Sequence, residues 1–300
     1  MEIPKLSIIT INFNNNCGLK STLESIKLQS FTDYEHIIID AGSSDGSKTT
    51  IEKYEKESSH LTYWISESDK GIYDGMNKGI KQAKGEYIYF LNSGDCLQGD
   101  ILKRIPFNEN IQYIYGDMLL VEEKSERKRV APDYPTVQFF FYDSLSHQSC
   151  FIHRSLFVHR LYDTQYKIIS DWAHSFQSII MENCSYKHLP FIISKCDGSG
   201  ISSIYLHVQS ERLKWFKENL SEPLYQSIVD SIEYNASYFK LLIPMMNLRM
   251  HFQKRAFNIV KIWLKVHSFF SRHKKNPEDI KKIIYYPPKN LLSSNPQPPS

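Results

Sequence analysis

Four short apolar runs in the first third of the chain each end in polar side chains whose oxygen atoms can bind a ligand. These polar groups are Thr10, Asn12 and Asn14 to Asn16, then Asp40 to Gly46, then Ser68 to Gly71, and finally Asn92 to Asp95. In an open sheet of parallel strands, ligands bind beyond the carboxyl ends of the strands. If the four runs are such strands, their polar ends converge on one binding site.

The spacing of the glycines excludes two common ways of binding a nucleotide phosphate. A dinucleotide fold needs G-x-G-x-x-G after its first strand, and no such motif follows Leu6 to Ile11. Gly42 to Lys48 does not have the G-x-x-x-x-G-K-S/T spacing of a P-loop. These absences disfavour an NAD-dependent oxidoreductase. Without a backbone cradle, the common substitute is a divalent cation held by hard oxygen ligands, for which Asp95 is the candidate.

Simpler interpretations of the same residues stay open. Asp40 to Gly46 consists of residues that favour turns, and Asn92 to Asp95 could be a turn that caps a following helix. The three histidines His147, His153 and His159 recur every six residues, which is not the spacing of metal ligands on one helix face, so no zinc site is expected.

The alternation of short apolar runs with helical periodicity up to about Ile114 is typical of βαβ units and a largely parallel sheet. The predicted strands are Leu6 to Ile11, His36 to Asp40, Thr62 to Ser66 and Glu86 to Leu91. The predicted buried helix positions are Leu19, Leu23 and Ile26 after the first strand, and Met76, Ile80 and Ala83 before the fourth. Gly85 is predicted to end the latter helix.

Beyond Asp95 the regular alternation of predicted strands and helices is lost. We predict a β-ribbon of Tyr113 to Val121 and Lys128 to Ala131 around a charged turn, Glu122 to Arg127. A helix over Ser170 to Met181 and a strand over Phe191 to Ser194, begun by Pro190, are also predicted. This organisation predicts a domain over 1–205, with halves 1–105 and 106–205, then a helical basic extension over 206–286 and a disordered Pro-rich tail over 287–300.

Composition narrows the class of protein. Hydrophobic residues make up 41% and charged residues 23% of the chain, as in globular proteins. The longest stretch without charged residues, Leu6 to Leu19, is too short to cross a bilayer. The five cysteines are odd in number and form no C-x-x-C pair, which favours reduced, mostly buried thiols. The N-terminus lacks a secretory pattern, so we expect a cytoplasmic protein.

With these motifs in order, residues 6–102 resemble the family 2 glycosyltransferases of the GT-A fold, especially bacterial enzymes that assemble capsule, O-antigen and exopolysaccharide chains. The resemblance rests on 7–14 (SIITINFN), 37–47 (IIIDAGSSDGS), 67–80 (ESDKGIYDGMNKGI) and 85–95 (GEYIYFLNSGD). Weaker similarity continues in 146–151 (SHQSCF), 166–172 (YKIISDW) and 197–202 (DGSGIS). It implies a GT-A, Rossmann-like α/β fold with a mostly parallel central sheet flanked by helices and a helical C-terminal extension.

The resemblance also implies roles for particular residues. The implied nucleotide-binding residues are Thr10, Asn12, Asp40, Lys70 and Asn92. The family's metal motif usually has several carboxylates, whereas Asn92 to Asp95 contains only one, Asp95. The resemblance therefore implies that Asp95 holds Mn²⁺ or Mg²⁺, with the diphosphate and water as the other ligands. His147 and Trp172 are implied acceptor contacts.

Asp171 matches the position of the family's catalytic base. An inverting transfer needs one group that accepts the proton of the acceptor hydroxyl while that oxygen attacks the anomeric carbon. The alternative interpretation is a carboxylate that interacts only with the dipole of the helix it begins. The resemblance implies a glycosyltransferase that moves a sugar from a nucleotide-sugar donor to a glycan or lipid-linked acceptor; a nucleotide-sugar-binding protein with little or no turnover is the alternative.

Leu241 to Lys275 is rich in Lys and Arg and contains no Asp or Glu. Its apolar residues at helical spacing are Phe252, Ala256, Ile259, Val260, Trp263, Val266 and Phe270. This pattern fits either a helix packed on the catalytic domain or, as we favour, a helix lying in an anionic membrane surface. Attachment to the inner face of the plasma membrane is therefore an open expectation. No nucleic-acid-binding motif is present, and we expect no such partner.

Overall fold

The computed structural model describes residues 3–122, 125–197 and 205–230. The chain divides into two compact units, Met1–Asn219 and Leu220–Ser300. In the second unit, residues 222–230 are helical. The basic helix predicted within Leu241 to Lys275, the Pro-rich tail and most of the glycine loop after Asp197 lie outside the described residues.

Nine strands of the described residues form one sheet. They are β1 (Leu6–Asn12), β2 (Tyr34–Asp40), β3 (Leu61–Ser66), β4 (Tyr87–Phe90), β5 (Cys96–Leu97), β6 (Tyr113–Glu122), β7 (Ser125–Arg129), β8 (Cys150–His153) and β9 (Tyr186–Asp197). The order across the sheet is β3-β2-β1-β4-β8-β6-β9-β5, and β7 pairs with β6. Four parallel strands thus adjoin a mixed half.

Six α-helices are described in the first unit. They are α1 (Asn16–Lys27), α2 (Ser47–Glu57), α3 (Ile72–Gln82), α4 (Val137–Tyr142), α5 (Ser170–Phe176) and α6 (Tyr205–Asn219). A π-helical turn, Gln177–Met181, continues α5, so the predicted helix over Ser170 to Met181 is present with a change of hydrogen bonding. Helix α6 belongs to the first compact unit, and the predicted division into a domain over 1–205 and a helical extension stays a prediction.

Helices cover both faces of the parallel strands, which explains why β1 and β2 are buried along their whole length. On one face, Leu19 and Leu23 of α1 and Ile51 of α2 pack with Ile38 of β2. On the other face, α3 lies so close that a Cβ on Gly79 would come 2.5 Å from Cγ2 of Ile9. The predicted α/β fold with a mostly parallel sheet is confirmed.

The order of the parallel strands places a ligand site at the end of β1. The chain crosses from β1 to β2 and β3 on one side and returns to β4 on the other, and all three of these pairs are parallel. Strand order therefore reverses at β1, which opens a crevice beyond its carboxyl end. Asn12 occupies that end, beside Asp40 of β2 in the pairing register.

The mixed half differs from the prediction in two places. The ribbon strands β6 and β7 extend through most of the predicted Glu122 to Arg127 turn, because cross-strand pairing runs from Met118 with Arg129 to Glu122 with Ser125. Pro190 lies inside β9 rather than at its start. There the pairing between β6 and β9 shifts between Gly116 and Asp117, and an irregularity of this kind accommodates a residue without an N–H.

Gly85 does not end α3, which closes instead at Ala83 in an extended conformation. Gly85 is needed for close packing, since a Cβ there would lie 2.5 Å from the backbone nitrogen of Ser7. We expect Gly85→Ala to reduce the free energy of unfolding by about 1–3 kcal/mol, because the strand backbone must move. Urea denaturation measures this loss.

The neighbouring substitution Lys84→Ala is the matched control for Gly85→Ala. The Lys84 side chain is exposed, so this change should alter the free energy of unfolding by less than about 0.5 kcal/mol. An unchanged urea midpoint for Gly85→Ala would show that the close approach to Ser7 is not a constraint.

The five cysteines are free thiols, and Cys150, Cys184 and Cys196 are buried. Burial raises the pKa of Cys150 and of Cys184, each to about 12. Three of the five thiols are therefore buried, as the sequence predicted, and their reduced state stays a prediction. None of the described helices is both long enough and apolar enough to span a membrane.

Candidate active site

Asp40 accepts hydrogen bonds from three side chains at the carboxyl ends of the parallel strands. Nδ2 of Asn12, which ends β1, lies 2.6 Å from Oδ1 of Asp40, and Oγ of Ser66, which ends β3, lies 2.6 Å from Oδ2. Ser43 donates its hydroxyl to Oδ1 at 2.5 Å and its backbone N–H to Oδ2 at 3.0 Å. The ends of β1, β2 and β3 thus converge on one carboxylate.

Asp40 is ionised at neutral pH. Burial opposes its ionisation, but hydrogen bonds from Ser43, Ser66 and Asn12 outweigh burial and lower the pKa of Asp40 below its usual value. Because the side chain is fully buried, its charge acts at the site mainly through the three side chains that it orients.

Two amide oxygens at this edge have no hydrogen-bond partner in the described part of the protein. They are Oδ1 of Asn12 and Oδ1 of Asn92, and both are buried. An unsatisfied buried acceptor costs about 1–3 kcal/mol, so two of them beside a crevice require an explanation. A ligand with hydroxyl or N–H groups would supply the missing donors.

The loop Asn92 to Asp95 is held against β1 and α1. The backbone N–H of Ser93 donates to the carbonyl of Ile11 at 3.0 Å, and Asn15 donates its side-chain amide to the carbonyl of Ser93 at 2.9 Å. Thr22 of α1 accepts from the N–H of Gly94 and donates to the carbonyl of Asp95. Strand β5 follows directly, so the interpretation of this loop as a helix cap is wrong.

Asp95 is 8% exposed and faces the end of β9. Burial raises the pKa of the Cys196 thiol, and the neighbouring Asp95 carboxylate raises it further. Cys196 is therefore a neutral thiol that lies against Asp95. In the described residues no three His, Cys, Asp or Glu side chains are grouped as a metal site, so Asp95 is a single carboxylate ligand candidate.

Asp171, at the start of α5, is hydrogen-bonded through both of its oxygens. Nδ1 of His147 lies 2.8 Å from Oδ2, and the hydroxyl of Tyr73 donates to Oδ1 at 2.7 Å. Nε2 of His147 lies 3.1 Å from Nδ2 of Asn92. These contacts join α3, α5, the turn before β8 and the loop after β4, so the two halves of the domain meet at one row of polar side chains.

Asp171 carries a negative charge. Burial opposes its ionisation, but His147, Tyr73 and the N–H of Trp172 outweigh burial and lower the pKa of Asp171. Burial and the nearby Asp171 charge raise the pKa of Tyr73 well above its usual value, so Tyr73 stays a protonated donor. The arrangement is that of a carboxylate that orients an imidazole.

Two of the residues implied to contact ligands lie in the core. Thr10 is fully buried and its hydroxyl lies 3.0 Å from Nε2 of the buried His36. Trp172 is 1% exposed, donates its ring N–H to the carbonyl of Phe140 and packs against Phe216. Neither side chain has an exposed surface in the described structure, and a contact of either with a ligand stays a prediction.

Lys70 lies at the exposed entrance to α3. Its backbone N–H donates to Asp74 at 3.1 Å, while its side chain is exposed. The structure thus leaves its ammonium group available to an anionic ligand, and its contact with a nucleotide stays a prediction.

Sequence reasoning missed two residues at this edge. Tyr73 lies within the GIYDG segment, but its contact with Asp171 spans 98 positions of the chain, so no local signal indicates it. Phe13 follows Asn12 directly and is 63% exposed. The signal available in the sequence was an aromatic residue between Asn12 and Asn14, directly after a predicted strand.

The family model described as glycosyl transferase family 2 matches residues 7–141. The PGL/p-HBAD biosynthesis glycosyltransferase of Mycobacterium bovis (strain BCG / Pasteur 1173P2) is 28% identical over 178 residues, which cover 57% of this chain and 68% of that protein. The GalNAc(5)-diNAcBac-PP-undecaprenol beta-1,3-glucosyltransferase of Campylobacter jejuni is 32% identical over 124 residues, 40% of each chain.

Solved structures share the fold. TarS 1–349 of S. aureus in complex with UDP-GlcNAc has a TM-score of 0.58 at 16% identity and is matched over 83% of this chain and 77% of that chain. The mannosyltransferase PcManGT of Pyrobaculum calidifontis in complex with GDP-Man and Mn²⁺ has a TM-score of 0.55 at 12% identity, over 87% of this chain and 81% of that chain. Residues 7–141 thus match the glycosyl transferase family 2 model, and the solved structures share the GT-A fold, which confirms the resemblance found in the sequence.

Proposed function

We propose that the protein is an inverting glycosyltransferase that moves a sugar from a nucleoside-diphosphate sugar to a hydroxyl group of a glycan or lipid-linked acceptor in bacterial cell-surface polysaccharide synthesis. The observation that carries the proposal is the row of contacts from Asn92 through His147 to Asp171. In this proposal His147 and Asp171 are the proton-accepting pair, and they lie beside the loop that ends the nucleotide-binding half. Nucleotide binding alone does not require such a pair.

The donor lies beyond the ends of β1 and β2 in this proposal. The unpaired Oδ1 atoms of Asn12 and Asn92 accept hydrogen bonds from ribose hydroxyls or base N–H groups, while Asp40 holds Asn12 in place. Lys70 approaches the base or the diphosphate. The UDP-GlcNAc and GDP-Man bound by the two structural neighbours support a donor of this class.

Asp95 suits a cation whose other ligands come mostly from the bound nucleotide sugar and water. Mg²⁺ is commonly bound by one or two carboxylates, with phosphates and water completing the shell, and Asp95 supplies one such carboxylate. When bound, Mn²⁺ or Mg²⁺ neutralises charge on the leaving diphosphate. The Mn²⁺ in the PcManGT structure supports a divalent cofactor.

The acceptor hydroxyl approaches the Asp171 and His147 pair, whose side chains are 17% and 16% exposed. A single displacement needs one proton acceptor on the acceptor side and gives inversion. The Campylobacter relative, named for an undecaprenol diphosphate-linked substrate, supports a lipid-linked acceptor. Attachment to an anionic membrane through the basic C-terminal segment is part of the proposal and concerns residues outside those described.

A panel of nucleotide sugars tests this function. We expect UDP-GlcNAc, UDP-glucose or GDP-mannose to raise the melting temperature, because a ligand at about 100 times its Kd adds about 2.7 kcal/mol to the folded state. The stabilising donor should then release nucleoside diphosphate slowly to water, faster with Mn²⁺ or Mg²⁺. Binding without release under any metal condition would favour the alternative, a nucleotide-sugar-binding protein.

Phe13 offers a stacking surface for the base in the proposed donor complex. We expect Phe13→Ala to weaken donor binding by about 1–3 kcal/mol, the usual value of stacking between a base and an aromatic ring. Titration calorimetry with the stabilising donor measures the change in Kd.

Leu28→Ala is the control for Phe13→Ala. Leu28 is also an exposed apolar residue, at 72%, but it follows the C-terminus of α1, far along the helix from Asn15. Its replacement should leave donor affinity unchanged. Equal affinities for Phe13→Ala and wild type would remove Phe13 from the donor site.

A further inference from the structure

We propose that Tyr73 is a positioning residue of the transfer: its hydroxyl holds the Asp171 carboxylate while that group is ionised and turns to the carbonyl of Ile168 once Asp171 has taken up a proton. The inference rests on the proposed glycosyl transfer, in which Asp171 is the carboxylate that accepts the proton of the acceptor hydroxyl. It adds a group that acts through Asp171 rather than on a substrate.

The Tyr73 hydroxyl has two acceptors and one proton. It lies 2.7 Å from Oδ1 of Asp171 and 2.7 Å from the carbonyl oxygen of Ile168. Burial and the charge of Asp171 raise the pKa of Tyr73 well above its usual value, so the hydroxyl keeps its proton. Because a hydroxyl has a single O–H to donate, the two oxygens compete for it.

The charge on Asp171 decides which acceptor receives the hydrogen bond. A bond to an ionised acceptor is roughly twice as strong as one between neutral groups, so the hydroxyl donates to Oδ1 while Asp171 is an anion. When Asp171 is protonated this advantage is lost, and the carbonyl of Ile168 receives the bond. The buried hydroxyl therefore has an acceptor in both states, and protonation of the base leaves no buried donor unpaired.

The carbonyl of Ile168 is held in place from the other side of the residue by helix α6. The two carboxylate oxygens of Glu211 accept the backbone N–H groups of Lys167 and Ile168 at 3.0 and 2.9 Å. Ile168 is thus bonded to Glu211 through its N–H and to Tyr73 through its carbonyl. Since α5 begins two residues later, these bonds fix the segment that leads into Asp171.

Tyr73 lies in the first turn of α3, three positions after Lys70. The backbone N–H of Lys70 donates to Oδ2 of Asp74 in the same turn, at 3.1 Å. One helical turn therefore carries both the proposed contact with the donor and the contact with the base.

The step balances with the groups named. As the acceptor oxygen forms a bond to the anomeric carbon, its proton passes to the Asp171 carboxylate. The bond between the anomeric carbon and the diphosphate oxygen breaks, and its electron pair leaves with the nucleoside diphosphate. The Tyr73 hydroxyl keeps its own proton throughout and only changes the acceptor to which it donates.

Four further titratable groups of the described residues interact with the charge of Asp171. They are His147, Cys150, Tyr162 and His174. Burial raises the pKa of Cys150 to about 12 and that of Tyr162 well above its usual value, and burial lowers the pKa of His174 to about 3. These three groups are therefore neutral near neutral pH, and His147 is common to wild type and to every variant below.

The experiment uses the full chain and follows release of nucleoside diphosphate from UDP-GlcNAc and GDP-mannose over a wide range of pH, with water as the acceptor. For Tyr73→Phe we expect turnover about 10- to 10²-fold below wild type, because a misplaced base costs that much, and an unchanged Kd for the donor. The hydroxyl of Tyr73 lowers the pKa of Asp171. Its removal raises that pKa, so the acidic limb of the profile should move to higher pH.

Tyr162→Phe is the matched control. The rings of Tyr73 and Tyr162 are neighbours, with centroids 5.5 Å apart, but the Tyr162 hydroxyl has no hydrogen-bond partner in the described part of the protein. Its loss should leave turnover and the pH profile as in wild type.

Replacement of Tyr73 alone by a ring-fluorinated tyrosine tests the proposal even if Tyr73→Phe fails to fold. Fluorine makes the hydroxyl a stronger donor and leaves both acceptors in place. The ionised form of Asp171 is then stabilised further, so the acidic limb should move to lower pH, opposite to its movement in Tyr73→Phe.

A wild-type pH profile in both Tyr73 proteins would overturn the proposal, because the hydroxyl would then not act through the charge of Asp171. A slow Tyr73→Phe variant with an unmoved acidic limb would also contradict it and would leave the hydroxyl as a support of the Ile168 backbone only. If wild type releases no nucleoside diphosphate from either donor, the proposed transfer itself is wrong, and the role of Tyr73 falls with it.

Discussion

Replacing Asp171 by Asn is expected to lower turnover by about 10²- to 10⁴-fold and to leave donor affinity nearly intact. The variant keeps the size of the side chain but removes the negative charge that faces Nδ1 of His147 at 2.8 Å. Without that charge, the site loses the carboxylate of the pair proposed to accept the proton of the acceptor hydroxyl. Asp171 has no described contact with Asn12 or Asp40, so the nucleotide pocket should be unaffected. Steady-state kinetics and donor calorimetry on the same preparation measure both effects.

Asp163→Asn is the control for Asp171→Asn. Asp163 is an exposed carboxylate that bonds to Gln165, and its neutralisation should leave turnover close to wild type. If Asp171→Asn turned over at the wild-type rate with saturating acceptor, Asp171 would be only a helix-start carboxylate, as the simpler interpretation of the sequence holds.

Replacing Asp95 by Ala should lower metal-dependent turnover by roughly 10²-fold or more, because a cation at a leaving diphosphate contributes several kcal/mol to transition-state stabilisation. Donor affinity should fall in the presence of Mn²⁺ or Mg²⁺. In excess chelator, wild type and variant should bind the donor almost equally. Calorimetric titration under the two conditions isolates the part of the effect that depends on the cation.

Asp100→Ala is the control for Asp95→Ala. Asp100 follows β5 and bonds with Ser30 and Lys103, so its loss should not change the response to metal. Equal losses of donor affinity for Asp95→Ala with and without chelator would show that Asp95 acts on the donor directly, or only supports the loop.

The nucleotide-binding part of the site could be predicted from local sequence, because its residues lie at the ends of strands. Asp40 ends a continuous apolar run, and Asn92 to Asp95 follow another, so the strand prediction also predicted the edge on which they meet. The same reasoning did not predict the surroundings of Thr10. Thr10 lies two positions before the end of β1 and therefore points to the same face as Asn12, but it lies deeper along the strand, where it meets buried His36.

The acceptor side of the site could not be predicted in the same way, because it is formed by contacts between distant parts of the chain. His147, Asp171 and Tyr73 come from three separate segments, and their hydrogen bonds form only when α3 and α5 pack at the same edge of the sheet. Trp172, adjacent to Asp171, points the other way into an aromatic cluster with Phe176, Trp215 and Phe216. Because α5 is a helix, the adjacent residues Asp171 and Trp172 point in different directions. The sequence did not indicate which of these two helix faces packs against the rest of the domain.

The sequence by itself determined the α/β class, the four strands of the first half and the residue types available for chemistry, because apolar periodicity and turn residues act over a few positions. Only the tertiary structure decided which of those residues face the crevice, that Pro190 sits within a strand at a shift of pairing, and that His147 stands between Asn92 and Asp171. These outcomes depend on which elements pack against each other, and burial and hydrogen-bond geometry are set by that packing rather than by neighbours in the chain.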